Sequence, residues 1–139
     1  MLSDAQKNTL QQFFDQERAI VAAYLFGSFA KGTPTPSSDI DLAFLLDKKT
    51  AGADSTELSS RYSVDLSEKL GREVDVIILN EAPPFLKFQV FRYGQPLFER
   101  DVKRSRRFMA ASLIEYFDFE PLKRSMEERI IQRLKERPA

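Results

Sequence analysis

Two aspartates stand one residue apart at the start of a run that otherwise predicts a buried strand. The run is DIDLAFLL, residues 39–46, and the two acids are Asp39 and Asp41. Because side chains alternate across a strand, both carboxylates point to one face, with Cα atoms about 6.6 Å apart, and the apolar residues point to the other. Like charges side by side are costly to desolvate unless a divalent cation lies between them. Oxygen ligands without Cys or His favour Mg²⁺ or Mn²⁺ over zinc.

A third acid lies inside an apolar run further along the chain. Asp75 is flanked by valines in VDVII, residues 74–78. A charge in so apolar a strand is paired, protonated, metal-bound or placed at an exposed edge. If this third strand neighbours the second, Asp75 joins Asp39 and Asp41. Three carboxylates around two metal ions about 3.5–4 Å apart form the arrangement that nucleotidyl transfer uses.

The pair Gly27-Ser28 precedes Asp39 with ten residues, 29–38, between them. At a turn from strand to helix, glycine lets the backbone approach a ligand closely, and free amides at the helix start attract anions. Ser28 adds a hydroxyl donor. A triphosphate held here, with its metal at Asp39 and Asp41, would present its α-phosphate to an attacking group.

Each of these motifs also has a plainer interpretation. A D-x-D pattern often arises by chance in a chain of this length, and Gly-Ser alone is a turn. A lone strand carboxylate such as Asp75 is also typical of a solvent-facing edge. The fixed offset between Gly27-Ser28 and Asp39 is what makes the combination specific.

Composition excludes several classes of chemistry. The 139 residues include no Cys and no His, which leaves no thiolate or imidazole zinc site, no Cys nucleophile and no Ser-His-Asp triad. Basic and acidic residues number 21 each, so the overall charge does not suggest a nucleic-acid binder. The polar N-terminal stretch has no signal-peptide core, and the longest wholly apolar run, AIVAAYLF, is too short to span a bilayer. We expect a soluble, cytoplasmic protein that does not enter a membrane.

The spacing of apolar residues predicts alternating helices and strands. Helices are expected over 3–18, 54–70, 85–94, 102–117 and 122–136, strands over 21–26, 39–46, 73–79 and 95–99, a helical turn at 28–31 and an extended loop around Gly32, Pro34 and Pro36. The proline in 95–99 favours an edge strand. This alternation indicates an α/β or α+β class with a small sheet. The length predicts a single domain, residues 1–139, with C-terminal helices from about 101.

Residues 15–100 resemble the nucleotidyltransferase superfamily related to DNA polymerase β. Gly27-Ser28, ten residues, then Asp39-Ile40-Asp41 match its G-S-x10-D-x-D signature, and Asp75 falls where its third carboxylate is expected. The resemblance implies a small mixed β-sheet flanked by helices. It also implies that Asp39 and Asp41 bind two Mg²⁺ ions, and that Asp75 completes the metal site and helps activate the acceptor hydroxyl.

Within that superfamily the short chain is similar to minimal nucleotidyltransferases of the MntA antitoxin type. The resemblance implies a HEPN-domain ribonuclease toxin as partner, ATP as substrate and a toxin tyrosine as acceptor of AMP. Many relatives have a basic residue directly after Gly-Ser, where this chain has Phe29, and Lys31 is the candidate substitute for the phosphate contact. Two alternatives stay open: transfer to a small molecule such as an aminoglycoside or to an RNA end, and a non-catalytic module that sequesters a toxin.

Four basic residues cluster within a turn and a half of the first C-terminal helix. They are Lys103, Arg104, Arg106 and Arg107. A solvated helix face is the interpretation we favour. A contact for triphosphate, for an acidic partner or for RNA is the alternative.

Overall fold

The structure is a computed structural model that describes residues 2–32, 39–51 and 55–136. Its elements run in the order α1 (Asp4–Gln16), β1 (Ile20–Phe26), α2 (Gly27–Lys31), β2 (Ile40–Leu46), α3 (Lys48–Ala51), α4 (Ser55–Leu70), β3 (Val74–Ile78), a 3₁₀ turn (Leu79–Glu81), α5 (Pro84–Tyr93), β4 (Gln95–Glu99) and α6 (Val102–Glu136). All four predicted strands are present within a residue or two of the expected bounds. The predicted loop prolines lie outside the described residues.

The four strands form one mixed sheet in the order β3-β2-β1-β4. Strand β1 pairs antiparallel with both β2 and β4, whereas β2 and β3 are parallel. A parallel pair needs a crossover, and α4 supplies it between β2 and β3. The predicted α/β class with a small mixed sheet is confirmed, as is the edge position of the proline-containing strand β4.

Helix α1 begins directly after an N-cap residue, Ser3. The Ser3 hydroxyl accepts a hydrogen bond from the amide of Gln6 at 3.1 Å, and the Gln6 side chain accepts one from the amide of Ser3 at 2.9 Å. This reciprocal arrangement is a capping box, which satisfies two amide groups that the helix itself leaves unpaired. The spacing of Leu10, Phe13 and Phe14 then puts all three on the face that is buried.

Each face of the sheet carries an apolar core. The first packs against α1 and α4 and includes Phe13, Phe14, Leu42, Phe44, Tyr62 and Leu66. The second packs against α5 and α6 and includes Tyr24, Ala43, Leu45 and Val90, with Phe91 and Phe108 partly buried beside them. The alternation in residues 39–46 predicts the first core, but it does not predict the second.

Serines of α4 cover the outer edge of β3. The hydroxyl of Ser59 donates to the carbonyl of Val76 at 2.5 Å, and the amide of Val76 donates to the hydroxyl of Ser63 at 3.1 Å. One turn further on, the amide of Val74 donates to Ser67 at 2.9 Å. An unpaired strand edge is a template for unwanted pairing, and the serines, four residues apart on one helix face, fill its donors and acceptors.

The two predicted C-terminal helices are a single helix, α6. The apolar spacing ends the first of them at residue 117 and begins the second at residue 122, whereas α6 runs from Val102 to Glu136 and continues through Pro121. The prediction of a break was wrong, since a lone proline costs about 3 kcal/mol and good helix formers on both sides outweigh it. No helix in the described ranges is long and apolar enough to cross a membrane.

Candidate active site

Asp41 and Asp75 lie side by side on neighbouring strands. They are register partners in the parallel pairing of β2 with β3, and Asp41 also faces Phe26 across the pairing with β1. Partners at the same level of a sheet point to the same face, so the two carboxylates share one surface. The prediction that the third strand neighbours the second is confirmed. Asp75 is exposed and Asp41 is half-buried, so the pair opens to solvent on the β3 side.

Gly27 lies directly against the Asp41 carboxylate. It opens α2 with a φ of 72°, in the left-handed region that favours glycine. A Cβ atom on Gly27 would stand 3.2 Å from Cγ of Asp41 and closer still to its Oδ2. Glycine is therefore favoured here for two reasons: its backbone conformation, and the room that the missing side chain leaves for the Asp41 carboxylate. The close approach predicted for Gly27 is made here to a carboxylate.

The pKa of Asp41 is raised above its ordinary value. Burial is the largest cause, and the negative charges of Asp75 and then Asp39 add to it. Each effect penalises an anion that has no cation beside it. A set of carboxylate oxygens is also the chemistry that Mg²⁺ and Mn²⁺ prefer, so these residues fit such an ion. Among the described residues, no three Asp, Glu, His or Cys side chains form a group that could hold a metal ion. The assignment of three metal ligands therefore stays a prediction.

The other predicted site residues occupy the ends of the elements around this pair. Asp39 is exposed and immediately precedes β2. Ser28 is half-buried in the first turn of α2, and Lys31 is exposed in its last turn. The fold thus places all of them at the same end of the sheet as Asp41, while their contacts with a nucleotide stay predictions.

The burial of Phe29 explains why this chain has no basic residue directly after Gly-Ser, where many relatives have one. Its side chain is 4% exposed and belongs to the first apolar core, so it anchors α2 rather than facing a ligand. The guanidinium carbon of Arg72 lies 5.1 Å from the centre of the Phe29 ring, within cation–π range. A second cation therefore lies near α2 besides Lys31. Sequence reasoning missed Arg72 because only the fold brings it beside α2.

Two residues at the junction of α5 and β4 contact α2 and approach the end of β1, and sequence reasoning missed both. The Gln95 side chain donates a hydrogen bond to the carbonyl of Ala30 in α2 at 3.0 Å. A Cβ atom on Gly94 would meet the carbonyl oxygen of Leu25 at 2.9 Å, so the chain approaches the end of β1 closely there. The end of α5 and the start of β4 thus fix the turn that carries Gly27 and Ser28.

Sequence comparison identifies the family of the chain. The pattern of the family described as Polymerase beta, Nucleotidyltransferase matches residues 8–103, which is more than half of the chain. The chain belongs to this nucleotidyltransferase family. The match encloses the range 15–100 of the predicted resemblance. The chain is also 27% identical, over 107 residues, to a Methanocaldococcus jannaschii protein that carries the provisional name of a protein adenylyltransferase, covering 76% of this chain and 71% of that one.

Solved structures show that the fold is shared with chains of toxin–antitoxin complexes. A chain of a toxin–antitoxin complex with AMP-PNP superimposes with a TM-score of 0.74 at 23% identity, covering 90% of this chain and 98% of that one. A chain of the Shewanella oneidensis complex between a tri-AMPylated HEPN toxin and its MNT antitoxin gives 0.68 at 21%, covering 91% and 96%. A chain described as a minimal nucleotidyltransferase gives 0.52 at 26%, covering 66% and 89%. The predicted polymerase β-like fold is confirmed.

In this nucleotidyltransferase, the acidic pair and the glycine turn form two sides of one surface. Asp41 is fixed by its strand and by Gly27, whereas Asp75 faces solvent. A phosphate group cannot approach two free carboxylates without a cation between them, because like charges repel. The arrangement therefore suits the binding of a nucleotide together with its metal, and the open β3 side leaves room for a large acceptor.

Proposed function

We propose that this nucleotidyltransferase is an antitoxin that transfers AMP from ATP to a tyrosine hydroxyl of a HEPN-domain toxin. The observation that carries the proposal is the pairing of Asp41 with Asp75 beside Gly27, in a core that belongs to the polymerase β family. The choice of acceptor is supported by the provisional name of the archaeal relative and by the tri-AMPylated toxin in a complex of the same fold. The proposal places the single domain, residues 1–139, in the cytoplasm, where ATP is available.

The three aspartates would hold the metal. Asp39, Asp41 and Asp75 supply the oxygen ligands for two Mg²⁺ ions, with Mn²⁺ as a substitute. When bound, the metal neutralises phosphate charge and stabilises the charge that develops at phosphorus. On the glycine side, the backbone at Gly27 and the hydroxyl of Ser28 hold the triphosphate. Lys31 adds a positive charge at the far end of α2.

The reaction is a displacement at the α-phosphorus of ATP. The tyrosine oxygen forms a bond to that phosphorus while the bond to the bridging oxygen of the β-phosphate breaks, and pyrophosphate leaves with the bonding electrons. Asp75 accepts the phenolic proton, a role that its exposed position allows because the acceptor arrives from outside the domain. The chain's main contribution is positioning, since a docked partner presents one hydroxyl in line with the leaving group.

A protein acceptor suits this chain better than an RNA strand. Its net charge is zero, and the acidic pair repels phosphates everywhere except at a bound metal. RNA binding without sequence readout rests on many basic contacts near the site. A small molecule is the weaker alternative, because the described part of the acidic surface is open rather than enclosed.

The test is a labelling reaction with α-labelled ATP and Mg²⁺. The protein is incubated with the product of its neighbouring gene and, separately, with bulk RNA and with an aminoglycoside. We expect label on a tyrosine of the protein acceptor, no label with Asp41→Asn, and full labelling with Asp15→Asn, an exposed aspartate on α1. Label on RNA ends or on the aminoglycoside alone would overturn the antitoxin role while leaving nucleotidyl transfer intact. Tight binding of the toxin with no label on any acceptor would favour a sequestering module.

A further inference from the structure

A cavity of about 520 Å³ opens on the same face of the sheet as the acidic pair, at the other end of β2. Strand β2 contributes Leu45 to it, two side-chain positions along the same face from Asp41. The face of α6 that carries Arg104, Arg107 and Phe108 forms the opposite wall, because these residues follow each other at helical spacing. Nothing in the proposed transfer reaction uses this cavity.

Hydrogen bonds hold the walls of the cavity in place. The Asn80 side chain accepts a bond from the amide of Leu46 at 2.9 Å and donates one to its carbonyl at 3.0 Å, which fixes the turn after β3 to the end of β2. The Arg104 guanidinium donates to the same carbonyl at 3.4 Å. The backbone amide of Arg104 donates to the Asp101 carboxylate at 3.1 Å, at the start of α6. The cavity is therefore built by side chains from four elements and is not a gap beside a loose helix.

The cavity is positively charged although the chain as a whole is neutral. Lys48, Arg104 and Arg107 line it, and within the described residues none of them forms a salt bridge. The pKa of Asp47 is lowered mainly by hydrogen bonds from Thr50, whose amide donates to the carboxylate at 2.8 Å, and to a smaller extent by the charge of Arg104. A ligand that enters meets two guanidinium groups and one ammonium group. Guanidinium groups bind phosphate through paired hydrogen bonds, which an ammonium cannot do.

An aromatic ring and aliphatic side chains complete the lining. The Phe108 ring lies 6.1 Å from the Phe91 ring at 67°, and the Lys87 ammonium lies 5.6 Å from its centre, so its orientation is fixed by neighbours. Its remaining surface faces the cavity beside Leu45 and Ala111. A ligand that satisfies the whole lining carries phosphate at one end and a flat apolar group at the other.

We propose that this cavity is an accessory binding site for a nucleoside monophosphate, separate from the transfer site. Its phosphate lies between Arg104, Arg107 and Lys48, and its base lies against Phe108. The volume falls within the range of small-ligand sites and accommodates a mononucleotide. An acidic protein segment would meet the same charges, but it does not need a concave site with an aromatic wall.

The test is an NMR titration of the ¹⁵N-labelled full chain with AMP, with EDTA present to remove divalent cations. We expect shifts at the Asn80 carboxamide and the Arg107 side chain, and about tenfold weaker binding both for Arg107→Ala and for inorganic phosphate in place of AMP. Arg107 is exposed, so its replacement leaves the fold intact. The matched control is Arg133→Ala, an exposed arginine near the far end of the same helix, which should bind AMP like the parent.

Three outcomes would overturn the accessory site. The first is equal AMP affinity in Arg107→Ala and Arg133→Ala, and the second is inorganic phosphate that binds as tightly as AMP. The third is an absence of AMP shifts at Asn80 and Arg107, which would favour an acidic protein segment if Arg107→Ala also weakened toxin binding. The titration is done without divalent cations, so it does not depend on the transfer reaction. If AMP binds at this cavity but no transfer is found, the result counts against the proposed function alone.

Discussion

The two faces of strand β2 differ in how much of their length is covered by helices. On β2, the residues that face α1 and α4 are Ile40, Leu42, Phe44 and Leu46, and all are fully buried. On the other face the same strand begins with the half-buried Asp41 and continues with buried Ala43 and Leu45. One face is apolar along its whole length, whereas the other is apolar only under α5 and α6. A carboxylate is tolerated at the uncovered end because water still reaches it.

This difference has a consequence for the free energy of unfolding. Removing apolar atoms from the covered face loses both hydrophobic transfer energy and packing. Removing a charge from the uncovered end relieves a repulsion and loses little packing. Substitutions on the two faces of one strand should therefore affect stability and transfer in opposite proportions.

The largest expected effect is the loss of transfer in Asp41→Asn. The amide keeps the shape of the carboxylate but removes the charge that would hold the metal, so we expect AMP transfer to fall by orders of magnitude with the fold retained. The measurement is the initial rate with α-labelled ATP, compared with Asp15→Asn on the helix that covers the opposite face. A parental transfer rate in Asp41→Asn would show that the uncovered end of β2 does not carry the transfer reaction.

The next effect is the loss of stability in Phe44→Ala. Phe44 is fully buried, and its ring packs edge-to-face against those of Phe14 and Tyr62 at 5.6 Å. Truncation of a buried aromatic side chain typically costs about 3–5 kcal/mol, so we expect that decrease in the free energy of unfolding. Urea denaturation measures it. A free energy of unfolding in Phe44→Ala no lower than that of Asp41→Asn would show that the covered face is not the main source of stability.

Sequence patterns predicted the covered face better than the site. The alternation in residues 39–46 fixes which side chains of β2 are buried, because the period of a strand is two. The same alternation puts Asp39 and Asp41 on one face, but it carries no information about which strand lies beside β2. Asp75 could be added only on the condition that β3 is that neighbour, and the parallel register of Asp41 with Asp75 meets this condition.

Contacts between distant segments account for what the sequence did not show. Arg72 reaches Phe29, and Gln95 reaches Ala30, only after the sheet has formed. The break predicted between residues 117 and 122 was wrong for a different reason, since helix formers on both sides of Pro121 outweigh the cost of one proline. Local patterns predict elements and buried faces, whereas the partners of a site residue depend on topology.

A smaller effect concerns the glycine between the two regions, Gly27. Mg²⁺ and ATP at about 100 times the dissociation constant should stabilise the parent by about 2.7 kcal/mol. We expect Gly27→Ala to lose this stabilisation, because the new Cβ atom would displace Asp41. Gly71→Ala is the matched control: Gly71 also has a positive φ, of 64°, but nothing lies within 4 Å of its Cβ position. Thermal unfolding with and without ATP measures both. An equal rise in melting temperature in the two variants would place the nucleotide elsewhere.

The smallest effect is the dependence of stability on pH in Asp41→Asn. The folded-state pKa of Asp41 is raised by burial and by the charges of Asp75 and Asp39, so as pH rises the unfolded state loses this proton first. Ionisation of Asp41 therefore destabilises the folded state, from the unfolded pKa upward, and the penalty becomes constant above the folded pKa. We expect Asp41→Asn to melt slightly above the parent at about pH 7, without metal, and to show no such gain at about pH 3, where the carboxyl is protonated in both states. Thermal scans across this range, with Asp15→Asn as the control, measure the difference. A gain in melting temperature of equal size at both pH values would mean that altered packing, rather than relief of charge repulsion, stabilises Asp41→Asn.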